Sequence, residues 1–108
     1  MVKITNKLVG KWMDSFRKKI ELKYSPQKMI LFGSRARKDN LIDSDIDLLI
    51  VSDKFKEIKW PKRVGNVAQL WDGLIEIEPL CYTPEEFEKK KKQIGIVQQA
   101  VREGKVLI

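Results

Sequence analysis

Asp45 and Asp47 stand two residues apart at the head of an apolar run, Leu48-Leu49-Ile50-Val51, and follow a Gly33-Ser34 pair after ten intervening residues. In a strand, successive side chains alternate between faces, so the two carboxylates project from one face. Like charges at the mouth of a strand are costly unless a cation lies between them, and hard oxygen donors suit magnesium. Gly33 allows close backbone approach to a phosphate, and a helix start behind it would aim N–H groups at the same group. Ser34 could donate its hydroxyl to a phosphate oxygen or cap the helix. Arg35 and Arg37 fall in or just after the first helical turn, where cations oppose the macrodipole. Binding a polyphosphate would explain them; so would pairing with Asp39, Asp43 or another nearby carboxylate. Asp43 is off the alternation of the pair and reads as a turn or cap residue. Phosphate and metal ligands this close in sequence point to a triphosphate-handling centre.

The flanking elements must place these groups. Thr5 or Asn6 caps a predicted helix reaching about Lys23, with Leu8, Trp12, Phe16 and Ile20 on one apolar face. Tyr24-Ser25-Pro26 breaks it, and Lys28 to Phe32 is the first strand, ending at Gly33. Leu48 to Val51, apolar without interruption, suits a strand buried on both faces. A basic stretch from Lys54 to Arg63, with Phe55, Ile58 and Trp60 interleaved, leads into a helix from Pro61 to Trp71. The expected packing is of these aromatics on a sheet, with nucleic-acid binding the lesser alternative. Leu74 to Tyr82 reads as the third strand, with Glu76 and Glu78 on one face. Thr83 and Glu86 form a capping box, with Pro84 at the first helical position. Glu85, Glu86 and Glu88 precede Lys89, Lys90 and Lys92 by four residues, which reads as a paired, solvated helix face. Gln93 to Arg102 is amphipathic, with Ile94, Val97, Ala100 and Val101 on one side. Gly104 ends it, and Val106-Leu107-Ile108 could add an edge strand. The expected fold is α+β: a small mixed sheet of three to four strands, with helices mainly on one face.

A chain of 108 residues fits a single domain, 1–108, with one modest core. There is no histidine, which removes His-based general bases and Ser-His triads. Cys81 is the sole cysteine, so neither an internal disulfide nor a zinc site can form, which fits a reducing cytoplasm. Any chemistry rests on carboxylates, lysine, arginine and a hard metal. The net charge of +7 favours an anionic partner, although lysines on helices also serve solubility. No apolar run is long enough to span a bilayer, and no signal-peptide pattern opens the chain.

Gly33-Ser34 and Asp45-Ile46-Asp47, set between two apolar runs, resemble the signature of the polymerase-beta-type nucleotidyltransferase superfamily. The likeness is to its minimal nucleotidyltransferase (MNT) members and extends to Thr83-Pro84-Glu85-Glu86-Phe87. It implies transfer of a nucleoside monophosphate, read as AMP from ATP, onto a hydroxyl with Mg2+, in two-metal fashion. Asp45 and Asp47 match the family's metal pair, and Gly33 and Ser34 its phosphate turn. The family's third acidic position, five before the Thr, falls on Glu78. Glu exceeds the usual Asp by one methylene, and Pro79 beside it requires an edge strand or a bulge. Minimal members are often paired with helical HEPN proteins as toxin–antitoxin couples. The resemblance therefore implies an antitoxin that adenylylates a tyrosine of a HEPN RNase. The alternatives are a non-catalytic nucleotide- or partner-binding module, a transferase of small molecules or RNA, and self-association.

Overall fold

In the computed structural model, which describes residues 3–38, 40, 41 and 44–108, the chain begins with helix α1 (Asn6–Tyr24). The Thr5 hydroxyl accepts the Leu8 N–H at 3.1 Å and so caps its start. Ser25 ends it in the left-handed region, φ 43°, its N–H donating to the Glu21 carbonyl. The apolar stripe turns Val9, Phe16, Ile20 and Tyr24 inward. Each such fully buried side chain stabilises the fold by roughly 1.5–3 kcal/mol.

The sheet comprises β1 (Lys28–Phe32), β2 (Ile46–Val51), β3 (Ile77–Tyr82) and the two-residue β4 (Lys105–Val106). Their order is β3-β2-β1-β4; β2 runs parallel to β3, and β1 is antiparallel to both its neighbours. The parallel pair needs a crossover, supplied by a 3-10 turn at Asp53–Phe55 and α3 (Trp60–Ala68). After α2 (Ser34–Arg37), which follows β1 directly, the remaining helices are α4 (Pro84–Lys91) and α5 (Ile96–Glu103).

Leu48, Leu49, Ile50 and Val51 are all buried, as a central strand requires. Ile46, Leu48 and Ile50 join the larger core with α1 and Val67 of α3; Leu49 and Val51 join a second core with Phe87 of α4 and Val97 of α5. The α+β architecture with a mixed four-stranded sheet is as expected. Helices cover both faces, however, with the longer ones together on one side.

Several features differ from expectation. The third strand starts at Ile77 rather than Leu74, because Ile75 leaves the strand path to enter the core and its carbonyl accepts the Trp71 indole N–H at 2.6 Å. The last helix starts at Ile96, since Gly95 at its cap is extended; Ile94 thus lies outside the helix, 97% exposed. On α4 the acidic residues reach elsewhere than to Lys89, Lys90 and Lys92: Glu85 to Lys56, Glu86 to Arg63 and Glu88 to Lys91. Among the described residues no helix is long and apolar enough to cross a membrane.

Candidate active site

Phe32, the last residue of β1, pairs with Asp47 on β2, and the chain then turns off the sheet at Gly33 with φ +75°. A side chain is disfavoured there on two counts. The backbone lies in the left-handed region, and a Cβ would run into the Asp47 carboxylate, with Cγ at 3.2 Å. Glycine is what lets the turn rest against the acid. Gly33 is itself the cap residue of α2, with no side-chain cap bond, so Ser34 is the helix's first residue rather than its cap.

The parallel register of β2 and β3 sets Asp47 opposite Glu78. Asp47, Leu49 and Val51 share the face of the smaller core, and Glu78 and Leu80 continue that face on β3. Asp45 lies one residue ahead of β2, exposed at the strand entrance. A hydrogen bond with Asp47, then partial burial, then the charges of Asp47 and Asp45 hold the Glu78 carboxyl above the ordinary range. Glu76 precedes β3 and is exposed; its backbone carbonyl accepts the Ile46 N–H at 3.0 Å. Pro79 lies on the edge strand β3, where its missing N–H is tolerated.

These carboxylates offer only oxygen donors, and their crowding is what a hard cation would relieve. Asp47 and Glu78 fit that role as neighbours. Among the described residues, though, no group of three ligating side chains is gathered tightly enough to hold an ion. Asp45, at the strand entrance, is nonetheless near enough to act on the Glu78 carboxyl by charge and by a hydrogen bond.

Arg35 and Arg37 are engaged by the protein. Arg35 donates through Nε and Nη2 to the Ser44 carbonyl, at 3.1 and 2.8 Å, which anchors the loop immediately before Asp45. Arg37 Nη1 lies 3.8 Å from Glu103 Oε2 on α5. Asp39 and Asp43, the alternative partners, lie outside the described residues. Cys81 is fully buried, and burial pushes its thiol up to about 12 against the opposing pull of Arg63, leaving it without thiolate chemistry at neutral pH.

Two features had no signal in the sequence alone. One is the contact of Gly33 with Asp47, which depends on strand register. The other is Arg63, whose side chain is 7% exposed and donates to the Ile58 and Cys81 carbonyls at 2.7 and 3.2 Å and to Glu86 at 2.6 Å.

The sequence profile of the nucleotidyltransferase domain family matches residues 13–105. No curated protein sequence matches the chain. Among solved structures, a candidate nucleotidyltransferase from Sulfolobus solfataricus superposes with a TM-score of 0.54 at 23% identity, covering 82% of this chain and 84% of that one. BolA1 from Arabidopsis thaliana gives 0.55 at 20% identity, over 77% of this chain and 98% of that one. At these identities the two structures show likeness of fold.

Proposed function

The chain belongs to the nucleotidyltransferase domain family, and from that premise we propose that it transfers AMP from ATP, with Mg2+, onto a hydroxyl of a protein partner. The observation that carries this reading is the junction of the Gly33 turn, Asp47 and Glu78, three chain segments meeting at one end of the sheet.

Each part has a role its chemistry supports. Gly33 and Ser34 receive the triphosphate, the bare backbone allowing close approach and the Ser34 hydroxyl donating to a phosphate oxygen. Asp47 and Glu78, with Asp45 at the strand entrance, would hold the metal; when bound, magnesium supplies charge neutralisation for the phosphates and favours deprotonation of the attacking hydroxyl. Glu78 would either complete the metal's oxygen donors or take the proton from that hydroxyl. Arg35 acts at one remove, fixing the Ser44 carbonyl and hence where Asp45 stands. Arg37, beside Glu103, could exchange that partner for a phosphate.

The proposed acceptor is a tyrosine of a helical HEPN RNase, with the chain as the antitoxin of a cytoplasmic pair. Support comes from the motif resemblance and from exposed apolar residues on and around the last helix, Ile94, Ile96, Val101 and Val106, that a partner could cover. A second reading, neutralisation by binding alone, is favoured by the lack, among the described residues, of a group of three ligating side chains able to hold an ion. Incubation with the co-expressed partner, ATP and magnesium, followed by intact-mass measurement, separates them. Catalysis predicts one added adenylate that Asp47→Asn and Glu78→Gln abolish and Glu76→Gln largely spares. A stable complex whose partner never gains mass would establish the second reading.

A further inference from the structure

On the sheet face opposite Asp47 and Glu78 lies a cleft of about 590 Å³ between the first half of α1 and the α2 turn. Its apolar floor is Val9, Met13, Leu31 and Ile46; Arg35, Lys38 and Lys105 stand at its rim. Among the described residues no carboxylate lines it. Strand alternation places Ile46 and Asp47 on opposite faces, so this cleft is separate from the carboxylate site.

Two of its residues break local rules, in opposite senses. Gly10 sits inside α1, where glycine is a poor helix former, and a Cβ there would meet nothing within 4 Å. No packing requirement accounts for it; a larger side chain would project into the cleft. Lys38 caps the end of α2 at φ 64°, a left-handed position that normally falls to glycine or asparagine. The chain thus has a glycine where a side chain would help the helix, and a lysine where glycine would relax the backbone. Both choices serve the cleft, one by leaving room and the other by adding a cation. Departures of this kind concentrate at functional sites.

We propose that this cleft is a second ligand site, for a small organic anion: an apolar body of ring size on the floor, with a phosphate or carboxylate group at the Lys38–Lys105 rim. The volume is in the range of small-molecule sites, and the cations at its rim match an anionic head. The ligand would contact α2 from the side opposite the Gly33–Asp47 junction, so that one short helix borders both sites.

The test is a 15N-correlation titration of the intact chain with phenyl phosphate, alongside benzoate, phenol and inorganic phosphate. Phenyl phosphate should give saturable shifts at Asn6–Met13, Arg35–Asn40 and Lys105. Phenol, lacking the charge, and inorganic phosphate, lacking the body, should each bind at least about tenfold more weakly. Benzoate, which shares the ring and a negative charge, should give saturable shifts at the same residues. Gly10→Leu, which fills the cleft from a helix position that favours leucine, should weaken phenyl phosphate at least about tenfold while preserving the remaining spectrum. Lys38→Gly relaxes the backbone and removes the charge, and should weaken it several-fold; Asp47→Asn should leave it unchanged. Shifts confined to Gly33 and the strand ends, unchanged affinity in a folded Gly10→Leu variant, or no saturable shift at the cleft would each overturn the proposal.

Discussion

Gly33 joins fold and chemistry at a single residue. Its positive φ and the closeness of Asp47 together predict that Gly33→Ala costs about 1–3 kcal/mol, from backbone strain and from displacement of the carboxylate. Urea unfolding measures this, and adding Asp47→Ala should recover part of the loss, because the Cβ then meets a smaller neighbour. A merely flexible turn would show neither effect. Asp47 itself should behave in the opposite way. Glu78 is held above its ordinary range chiefly by Asp47. A raised carboxyl contributes stability fully present below its unfolded value and lost as pH rises through its folded one. At neutral pH, therefore, the metal-free cluster is a burden to the fold. Asp47→Asn should stabilise the metal-free protein, by less than about 1 kcal/mol because Glu78 is exposed to solvent screening, and so raise its melting temperature, while abolishing transfer. A melting temperature lowered by Asp47→Asn would show that the carboxylate is a structural group.

At the scale of elements, the most consequential joint is the one that Arg63 makes between α3, β3 and α4. The Thr83–Glu86 capping box was legible in the sequence because both partners lie within one helical turn, and both its bonds are present, at 2.8 and 3.2 Å. The use of the same Glu86 by Arg63, 23 positions away, was not legible, since it follows from the parallel crossover. The same division runs through the chain. Helix α1, β1, β2 and the Gly33 turn follow from local periodicity and turn chemistry. The late start of β3, the exposure of Ile94 and the contact of Asp47 with Glu78 depend on register and packing that no local window contains. Burial would push Glu86 up, but the Thr83 backbone N–H and the Arg63 guanidinium outweigh it and hold the carboxyl below its ordinary range. A depressed carboxyl contributes stability above its unfolded value that is lost as pH falls through the folded one. The acid limb of a stability–pH profile should therefore flatten in Glu86→Gln. Arg63→Ala, which also strands two buried carbonyls, should cost more, about 2–4 kcal/mol. Equal, small effects for both variants would show that the joint is dispensable.

For the whole molecule, the question is how a sheet of four strands keeps its ordered edge. On one side the edge is β3, guarded by Pro79 and by the charged Glu78. On the other it is β4, only two residues long, which shields β1 and its apolar Met29-Ile30-Leu31. The shield extends beyond the strand: the Leu107 N–H donates to the Met29 carbonyl at 2.7 Å, and the Met29 N–H donates to the Ile108 carbonyl at 3.3 Å. Leu107 and Ile108 also pack, partly buried, against the larger core. Deleting residues 105–108 should thus act twice. Loss of the two half-buried side chains should lower stability by about 2–3 kcal/mol in urea unfolding. Opening the β1 edge should also make the folded protein associate in a concentration-dependent way, visible by sedimentation velocity. The two effects can be told apart. Replacing Leu107 and Ile108 by serine keeps the backbone bonds and should reproduce most of the destabilisation with little association. Because β1 delivers the Gly33 turn to Asp47, the deletion should also depress nucleotide binding more than the serine variant does at equal stability. A truncated chain that stays monomeric and equally stable would show that β1 needs no shield, and that the turn is held by β2 alone.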